Sequence, residues 1–218
     1  MILTELVKEL LFPRKCILCG SVLTGNELDL CHDCRTGAPV FDEERRVSGI
    51  EAVCILWYYE GAVRESLLWF KFHNRPGYAE GYGRMLAMRI AGELHGIDLI
   101  TWVPVSGKRR RERGYDQSEL LARAVSKELG IPARATLKKV RHNPAQSGIT
   151  DLEQRKANVQ DAYQVLDSAA VKDKRVLLID DILTTGATAA ECARMLREAG
   201  AAEVSLAAVA SGRKQKNE

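Results

Sequence analysis

The stretch that decides the fold is RVLLIDDILTTGAT, residues 175–188. Its first half is a run of apolar β-formers, which predicts a strand buried on both faces of a parallel sheet. Two adjacent carboxylates, Asp180 and Asp181, follow at the predicted end of this strand, and a Thr/Gly turn comes next. Residues 189–199 have a helical composition, and Gly200 is expected to end that helix. The sequence therefore predicts a strand, an acidic pair, a hydroxyl-rich loop and a helix, in that order.

The loop between this strand and this helix has the composition of a phosphate-binding site. Backbone N–H groups at a helix N-terminus carry partial positive charge and favour an anion. Three threonine hydroxyls add donors, and a glycine lets the backbone approach a ligand closely. The residues of this expected phosphate loop are Thr184, Thr185, Gly186, Ala187 and Thr188.

The acidic pair needs a different task, because carboxylates repel phosphate. The hydroxyl groups of a polyol or a hydrated Mg²⁺ ion would suit Asp180 and Asp181. Phosphate on one side and hydroxyls or a metal on the other describe a sugar phosphate. The simpler interpretation is a capped helix after a strand, with a threonine as the cap and an aspartate as a turn residue. The presence of two acids and three threonines in one such unit favours a ligand site over a simple capped helix.

A second unit of the same kind carries a cationic loop. The stretch LITWVPV, residues 99–105, reads as a buried strand, and residues 108–113 then hold five basic side chains in six positions. Most charge runs are solvated surface. This one follows a predicted parallel strand, and open α/β sheets bind ligands at the carboxyl ends of their strands. We therefore expect Lys108, Arg109 and Arg113 to contact a second and more highly charged group, a pyrophosphate.

Size and composition place the chain among globular α/β proteins. It has 218 residues and a net charge of +3, enough for one α/β domain plus a small appendage. No segment is apolar over the roughly 20 residues that a membrane-spanning helix needs. Residues 1–12 are apolar but carry charged side chains, so they predict an amphipathic helix rather than a signal peptide. A cytoplasmic location is the resulting expectation.

Four of the six cysteines form two Cys-x-x-Cys pairs with eleven residues between them. Each pair can turn two thiolates toward one point, so together they predict a tetrahedral zinc site with the ligands Cys16, Cys19, Cys31 and Cys34. Four protein ligands leave no open position on Zn²⁺, which predicts a structural site. Two disulfides are disfavoured by a cytoplasmic location. A redox dithiol is disfavoured because no βαβ unit surrounds either pair.

Two further segments carry polar residues that are candidates for ligand contact. Residues 71–75, KFHNR, place two basic groups and an amide just past a predicted helix, where they could face a substrate or a nucleic-acid base. Residues 142–148 are almost without apolar side chains and read as a loop, and Arg155 and Lys156 follow it. A flexible loop with basic residues near a phosphate pocket has the form of an active-site lid.

The stretch 176–188 resembles the phosphoribosyl pyrophosphate (PRPP) loop of type I phosphoribosyltransferases. That resemblance implies that the acidic pair holds the ribose 2′- and 3′-hydroxyls and that the Thr/Gly loop holds the 5′-phosphate. Over nearly its full length the chain is similar to the competence protein F (ComF) family. The residues that carry this similarity are the four cysteines, Phe70-Lys71-Phe72, Val103-Pro104-Val105, Arg113-Gly114-Tyr115-Asp116-Gln117, Gln146 with Ile149, Arg155 with Asn158-Val159, and residues 180–188. The family pattern usually has Asn where Asp116 stands.

The family resemblance implies an α/β fold of the type I phosphoribosyltransferase kind, with a mostly parallel sheet flanked by helices. It divides the chain into residues 1–45, an N-terminal helix with a Cys₄ zinc ribbon, and residues 46–218, the phosphoribosyltransferase-like domain. Its ligand would be PRPP with Mg²⁺. The expected catalytic residues are Asp180, Asp181, Arg155 and Lys156.

Three functions follow from this resemblance. The first is transfer of a phosphoribosyl group to an unknown acceptor with release of pyrophosphate. The second is a competence factor that binds single-stranded DNA or DNA-uptake proteins and keeps a regulatory or vestigial PRPP pocket. The third is a PRPP sensor without turnover. The sequence leaves open the acceptor, the oligomeric state, and whether the zinc ribbon binds DNA, docks a partner or only folds the N-terminus onto the body.

Overall fold

The computed structural model describes residues 13–141 and 161–213. The predicted helix at residues 1–12 and the predicted lid with Arg155 and Lys156 lie outside the described residues. The helices are α1 His32–Gly37, α2 Gly61–Phe72, α3 Tyr78–Glu93, α4 Gly107–Arg113, α5 Gln117–Leu129, α6 Ser168–Val171 and α7 Ala187–Glu198. The strands are β1 Val53–Tyr58, β2 Leu99–Trp102, β3 Leu137–Lys139, β4 Tyr163–Val165, β5 Arg175–Leu183 and β6 Glu203–Ser211.

The centre of the fold is a four-stranded parallel sheet in the order β1–β6–β5–β2. The apolar residues of β5 alternate between its two faces. Leu177 and Ile179 pack in the same cluster as α3 and α5, whereas Val176 and Leu178 pack in the cluster that contains α7. Both faces of β5 are therefore buried, as its apolar run predicts. Helices on both sides of a parallel sheet confirm the predicted α/β class.

Strand β5 extends further than the sequence predicts. It continues through the acidic pair to Leu183, so Asp180 and Asp181 are strand residues and do not belong to the following loop. The pairing of β5 with its neighbours explains the difference. Pairing with β6 runs on to Leu183, whereas β2 pairs with β5 only as far as Ile179. At the acidic pair, β2 therefore no longer pairs with β5, whereas β6 still does.

The basic stretch, predicted as a loop, is instead the short helix α4. The Ser106 hydroxyl accepts a hydrogen bond from the Arg109 N–H and caps the N-terminus. Gly114 ends the helix in the left-handed conformation, with φ of 80°. An ion pair joins Lys108 to Glu112 one turn later, at 3.9 Å. These local signals outweigh the repulsion among the basic side chains.

The zinc ribbon shares a hydrophobic core with the α/β body. Ile17 is buried in the same cluster as Phe70 of α2. The Ser66 hydroxyl of α2 donates a hydrogen bond to the Ile17 carbonyl oxygen. On α3, Arg84 Nε donates to Asp29 Oδ2 at 2.9 Å. The ribbon is therefore attached to the two helices that precede β2.

Strands β3 and β4 pair antiparallel in a separate two-stranded sheet. None of the helices in the described part of the chain combines the length and the apolarity that crossing a membrane requires. The division of the chain into residues 1–45 and 46–218 stays a prediction.

Candidate ligand pocket and metal centre

A cavity of about 710 Å³ opens at the carboxyl ends of β5 and β2. Its lining comes from the end of β5, the start of α7, the end of α2, residues 103–105, helix α4 and the β3–β4 sheet. This is where open parallel sheets bind ligands. The predicted site residues that line it are Arg109, Arg113, Asp180, Asp181, Thr184, Gly186 and Thr188. Lys108, Thr185 and Ala187 lie nearby in the chain but do not line the cavity.

The two carboxylates of the acidic pair have different surroundings. Asp180 Oδ1 accepts hydrogen bonds from the Ser118 hydroxyl at 3.1 Å and from the Asp181 N–H at 2.9 Å. Asp181 Oδ1 lies 2.9 Å from Lys71 Nζ. Burial, and then the neighbouring charge of Asp181, raise the pKa of Asp180 to about 7, while Lys71 acts in the opposite direction. Asp180 therefore changes its charge near neutral pH.

The phosphate loop brings the N-terminus of α7 to the cavity. Gly186 occupies the N-cap position with φ of 82°, and no side chain caps the helix. A Cβ atom here would lie 3.0 Å from a methyl group of Val47, so both conformation and space favour glycine. Thr188 and Ala189 of the first turn line the cavity. N–H groups at these positions have no acceptor within the helix, so they are available to an anion.

Two arginines of α4 make one wall of the cavity cationic. Arg109 and Arg113 both line it. The Arg113 guanidinium lies 5.0 Å from the centroid of the Phe72 ring and donates to Gln117 Oε1 at 2.9 Å. Burial lowers the pKa of Arg113, but a guanidinium group stays protonated at neutral pH. Lys108 is instead exposed and forms its ion pair within α4.

The cavity also contains polar residues that no sequence motif indicates. Lys139 of β3 has its Nζ 5.2 Å from the centroid of the Tyr163 ring, and both residues line the cavity. Burial, and then the charge of Arg109, lower the pKa of Lys139. Strand alternation could have indicated Lys139, because side chains two positions apart lie on the same face of a strand and Leu137 on that face is buried. Ser118 gave no such signal, since its contact with the acidic pair joins distant parts of the chain.

The candidate segment 71–75 divides between the cavity and the surface. Lys71, Phe72 and Asn74 line the cavity. The Phe72 ring is nevertheless 61% exposed, and Trp69, just before the segment, is 44% exposed. The Arg75 guanidinium lies 5.8 Å from the centroid of the Trp69 ring. The segment therefore contributes both to the cavity and to the exposed surface of α2.

The four predicted zinc ligands converge. The sulfur atoms of Cys16, Cys19, Cys31 and Cys34 all lie within 4.8 Å of one another, and those of Cys19 and Cys31 are 3.7 Å apart. Two ligands of a tetrahedral site with Zn–S bonds of about 2.3 Å are about 3.8 Å apart, so these thiols fit Zn²⁺. Within residues 13–141 and 161–213, no other group of three or more His, Cys, Asp or Glu side chains is compact enough for a metal ion. His32 is not part of the cluster.

Comparison with known proteins agrees with this arrangement. A phosphoribosyl transferase domain model matches residues 116–218, and a double zinc ribbon domain model matches residues 7–46. Competence protein F of Haemophilus influenzae is 30% identical over 202 residues, which cover 89% of this chain and 83% of that protein. DNA utilization protein YhgH of Salmonella typhi is 31% identical over 142 residues, which cover 62% of this chain and 61% of that protein.

Two solved structures are also similar. The glutamine PRPP amidotransferase from B. subtilis, complexed with ADP and GMP, is 25% identical with a TM-score of 0.45, over 65% of this chain and 30% of that chain. The purine phosphoribosyltransferase from Pyrococcus horikoshii is 22% identical with a TM-score of 0.39, over 61% of this chain and 73% of that chain. The present chain therefore spans less than a third of the amidotransferase.

Proposed function

Since this chain belongs to the competence protein F family and its C-terminal part matches a phosphoribosyl transferase domain, we propose that the cavity binds PRPP. One observation carries the proposal: a helix N-terminus, an acidic pair and two arginines line a single cavity. PRPP offers a phosphate, ribose hydroxyls and a pyrophosphate. Each of these groups has a chemical complement among the lining residues.

The assignment of groups follows from charge. The 5′-phosphate binds at the phosphate loop, where N–H groups and threonine hydroxyls are donors. The ribose hydroxyls donate to Asp180 and Asp181. The pyrophosphate binds beside Arg109 and Arg113, whose guanidinium groups form paired hydrogen bonds with phosphate oxygens. Mg²⁺ would accompany PRPP as a counter-ion, since carboxylate and phosphate oxygens are its preferred ligands.

Three predicted contacts extend this assignment. Lys108, Arg155 and Lys156 are expected to approach the pyrophosphate once a ligand is bound. We place the function in the cytoplasm, where thiolate zinc ligands stay reduced. In this proposal residues 46–218 carry the pocket and residues 1–45 carry the zinc ribbon.

We further propose that bound PRPP donates its phosphoribosyl group. The bond between C1′ and the pyrophosphate oxygen breaks and pyrophosphate takes the electron pair. A bond from C1′ to the acceptor nucleophile forms, and the acceptor gives its proton to the departing pyrophosphate or to solvent water. Asp180 and Asp181 stabilise the positive charge that develops on the ribose, while Arg109 and Arg113 stabilise the departing pyrophosphate.

A pyrophosphate-release assay tests transfer. PRPP is supplied with nucleobases, amines or single-stranded oligonucleotides in turn, and release above the acceptor-free rate supports a transferase. Saturable PRPP binding without release for any of these classes would instead support a sensor.

The pKa of Asp180 predicts a pH dependence of PRPP binding. The ionised carboxylate is the stronger acceptor for ribose hydroxyls, and its pKa lies near 7. We expect the affinity to fall about tenfold between pH 8 and pH 6, as the carboxylate becomes protonated. Calorimetric titrations at the two pH values measure this change. Asp180→Asn is the control, because it lacks the titrating group; a wild-type pH response equal to that of the variant would contradict the assignment.

A second candidate function is binding of single-stranded DNA, which two exposed aromatic rings of α2 favour. Phe72 lines the cavity and Trp69 lies one turn earlier on the same helix. Both rings are exposed, and the guanidinium groups of Arg75 and Arg113 lie 5.8 Å and 5.0 Å from the centroids of Trp69 and Phe72, respectively. Proteins that bind single strands use exposed aromatic rings and arginines of this kind to stack bases. The printed names of the relatives, competence protein F and DNA utilization protein, support this alternative. The PRPP pocket would then be regulatory or vestigial, and DNA-uptake proteins would be further partners.

Replacing the exposed tryptophan tests the DNA interpretation. We expect Trp69→Ala to weaken binding of a single-stranded oligonucleotide about tenfold, because stacking of one base contributes about 1–3 kcal/mol. Fluorescence anisotropy at several salt concentrations gives the affinity and its salt slope, which is steep if the arginines contact phosphates. Met88→Ala is the matched control, since Met88 on α3 is also apolar and is 69% exposed. Equal affinities for wild type and W69A, or a flat salt response, would exclude this mode.

A further inference from the structure

The ion pair between Lys71 and Asp181 differs from the other ion pairs described in this chain. It joins the last turn of α2 to the acidic pair of β5, with Nζ 2.9 Å from Oδ1. The two side chains are only 16% and 12% exposed, and both residues line the cavity. Surface pairs such as Arg46 with Glu44 are 86% and 71% exposed. Water therefore screens the Lys71–Asp181 pair far less than such surface pairs.

The position of Lys71 is fixed by the structure around it. Phe70, one residue earlier, is fully buried. The Tyr115 hydroxyl donates to the Phe70 carbonyl oxygen and accepts from the Arg75 N–H, the latter at 3.1 Å. Tyr115 thus ties the end of α2 and the residues after it to the segment between α4 and α5. The backbone of Lys71 is therefore held within reach of the acidic pair, and the ion pair with Asp181 places the ammonium group there.

The ammonium group of Lys71 supplies positive charge at the acidic pair, which a bound metal ion could otherwise supply. Positive charge nearby favours the ionised form of two adjacent carboxylates in a cavity. Mg²⁺ would supply that charge, but an ammonium group already bound to Asp181 would repel a dication at the same oxygen. An ammonium group also has three N–H donors, so one bond to Asp181 leaves capacity for ligand oxygens.

We propose that Lys71 is the built-in cation of the acidic pair, which leaves Asp180 and Asp181 to accept ribose hydroxyls directly and makes PRPP binding largely independent of Mg²⁺. The inference rests on the proposed function, because it concerns the same pocket and the same ligand. Mg²⁺ on the phosphates of PRPP then has no bond to Asp181. Lys71 contacts the ligand itself, through the donors that the ion pair does not use.

The test compares calorimetric titrations with PRPP in excess Mg²⁺ and in EDTA. For wild type we expect removal of Mg²⁺ to weaken binding less than about tenfold. For Lys71→Met we expect a loss of about a hundredfold in EDTA, because a charge-assisted contact of the ligand is gone. Added Mg²⁺ is expected to restore most of the affinity of K71M, since the dication can then occupy the acidic pair. Lys71→Arg keeps the charge and is expected to keep the binding in EDTA.

Lys138→Met is the matched control, because Lys138 is an exposed lysine of β3 that does not line the cavity. The comparison of wild-type binding in Mg²⁺ and in EDTA needs no variant, so it remains decisive even if K71M folds poorly. Loss of wild-type binding in EDTA by about tenfold or more would overturn the inference while leaving the proposed function in place. Equal affinities of K71M and wild type in EDTA would overturn it as well. Absence of wild-type binding under both conditions would overturn the proposed function and this inference with it.

Discussion

Replacing both acidic residues of β5 with their amides, Asp180→Asn with Asp181→Asn, is expected to weaken PRPP binding by a hundredfold or more. Each carboxylate accepts a hydroxyl hydrogen bond in the proposed complex, and bonds to charged groups contribute about 1.5–3 kcal/mol. Two such bonds correspond to a change in affinity of about a hundredfold to ten-thousandfold. Asparagine preserves the shape of the side chain, so the cavity itself should be unchanged. Titration calorimetry with PRPP measures the loss.

The single variants Asp180→Asn and Asp181→Asn should have opposite effects on stability, because the two carboxylates have different surroundings. Asp180 is partly buried next to a like charge, and its raised pKa means that stability is lost as the pH rises through about 7. Asp180→Asn should therefore raise the melting temperature more at pH 8 than at pH 5. Asp181→Asn removes the charged partner of Lys71 and should lower it.

Asp98→Asn is a suitable control for both variants. Asp98 forms an ion pair with Arg175 at the opposite end of β5, and its side chain is 34% exposed. Its replacement should leave PRPP affinity unchanged. A double variant of Asp180 and Asp181 that binds PRPP as tightly as wild type would contradict the pocket assignment.

Removal of zinc is expected to lower the melting temperature of the whole chain by about 10 °C or more. The ribbon buries Cys16 and Ile17 in one cluster with residues of α2 and α3, so its unfolding exposes part of the main core. Structural zinc contributes several kcal/mol to folding, and in a chain of this size each kcal/mol changes the melting temperature by about 2–4 °C. Thermal unfolding with and without a chelator measures the effect.

Ligand and non-ligand variants separate zinc loss from local damage. Cys34→Ser should release zinc and reproduce the effect of the chelator. His32→Ala lies between two ligands in the sequence but outside the sulfur cluster, so it should keep one zinc ion per chain by elemental analysis. Zinc-free wild type with an unchanged melting temperature would contradict a structural role.

Local sequence patterns predicted most of the fold because each main element carries its own signal. The apolar run of β5 and the glycine-ended α7 were both recognisable from composition and spacing. The end of β5 was not recognisable, because the strand reaches Leu183 only through its pairing with β6. Strand β6 lies about twenty residues further along the chain, so the local sequence does not contain this signal. Helix α4 had local signals in Ser106 and Gly114, but its run of basic residues outweighed them in the prediction.

In the candidate site, too, local motifs were recognisable from the sequence and contacts between distant segments were not. The four cysteines, the acidic pair and the Thr/Gly loop are motifs of fixed spacing, so each was recognisable from one segment. The contact between Lys71 and Asp181 joins α2 to β5, which are distant in the sequence, so no single segment contains it. Likewise the exposure of Trp69 depends on which face of α2 meets the core.

A crystal structure of the full chain with PRPP and Mg²⁺ tests the central claim most directly. We expect the 5′-phosphate at the N-terminus of α7, the ribose hydroxyls on Asp180 and Asp181, and the pyrophosphate beside Arg113. PRPP bound outside this cavity, or bound in it with the ribose away from both carboxylates, would contradict the proposed binding mode.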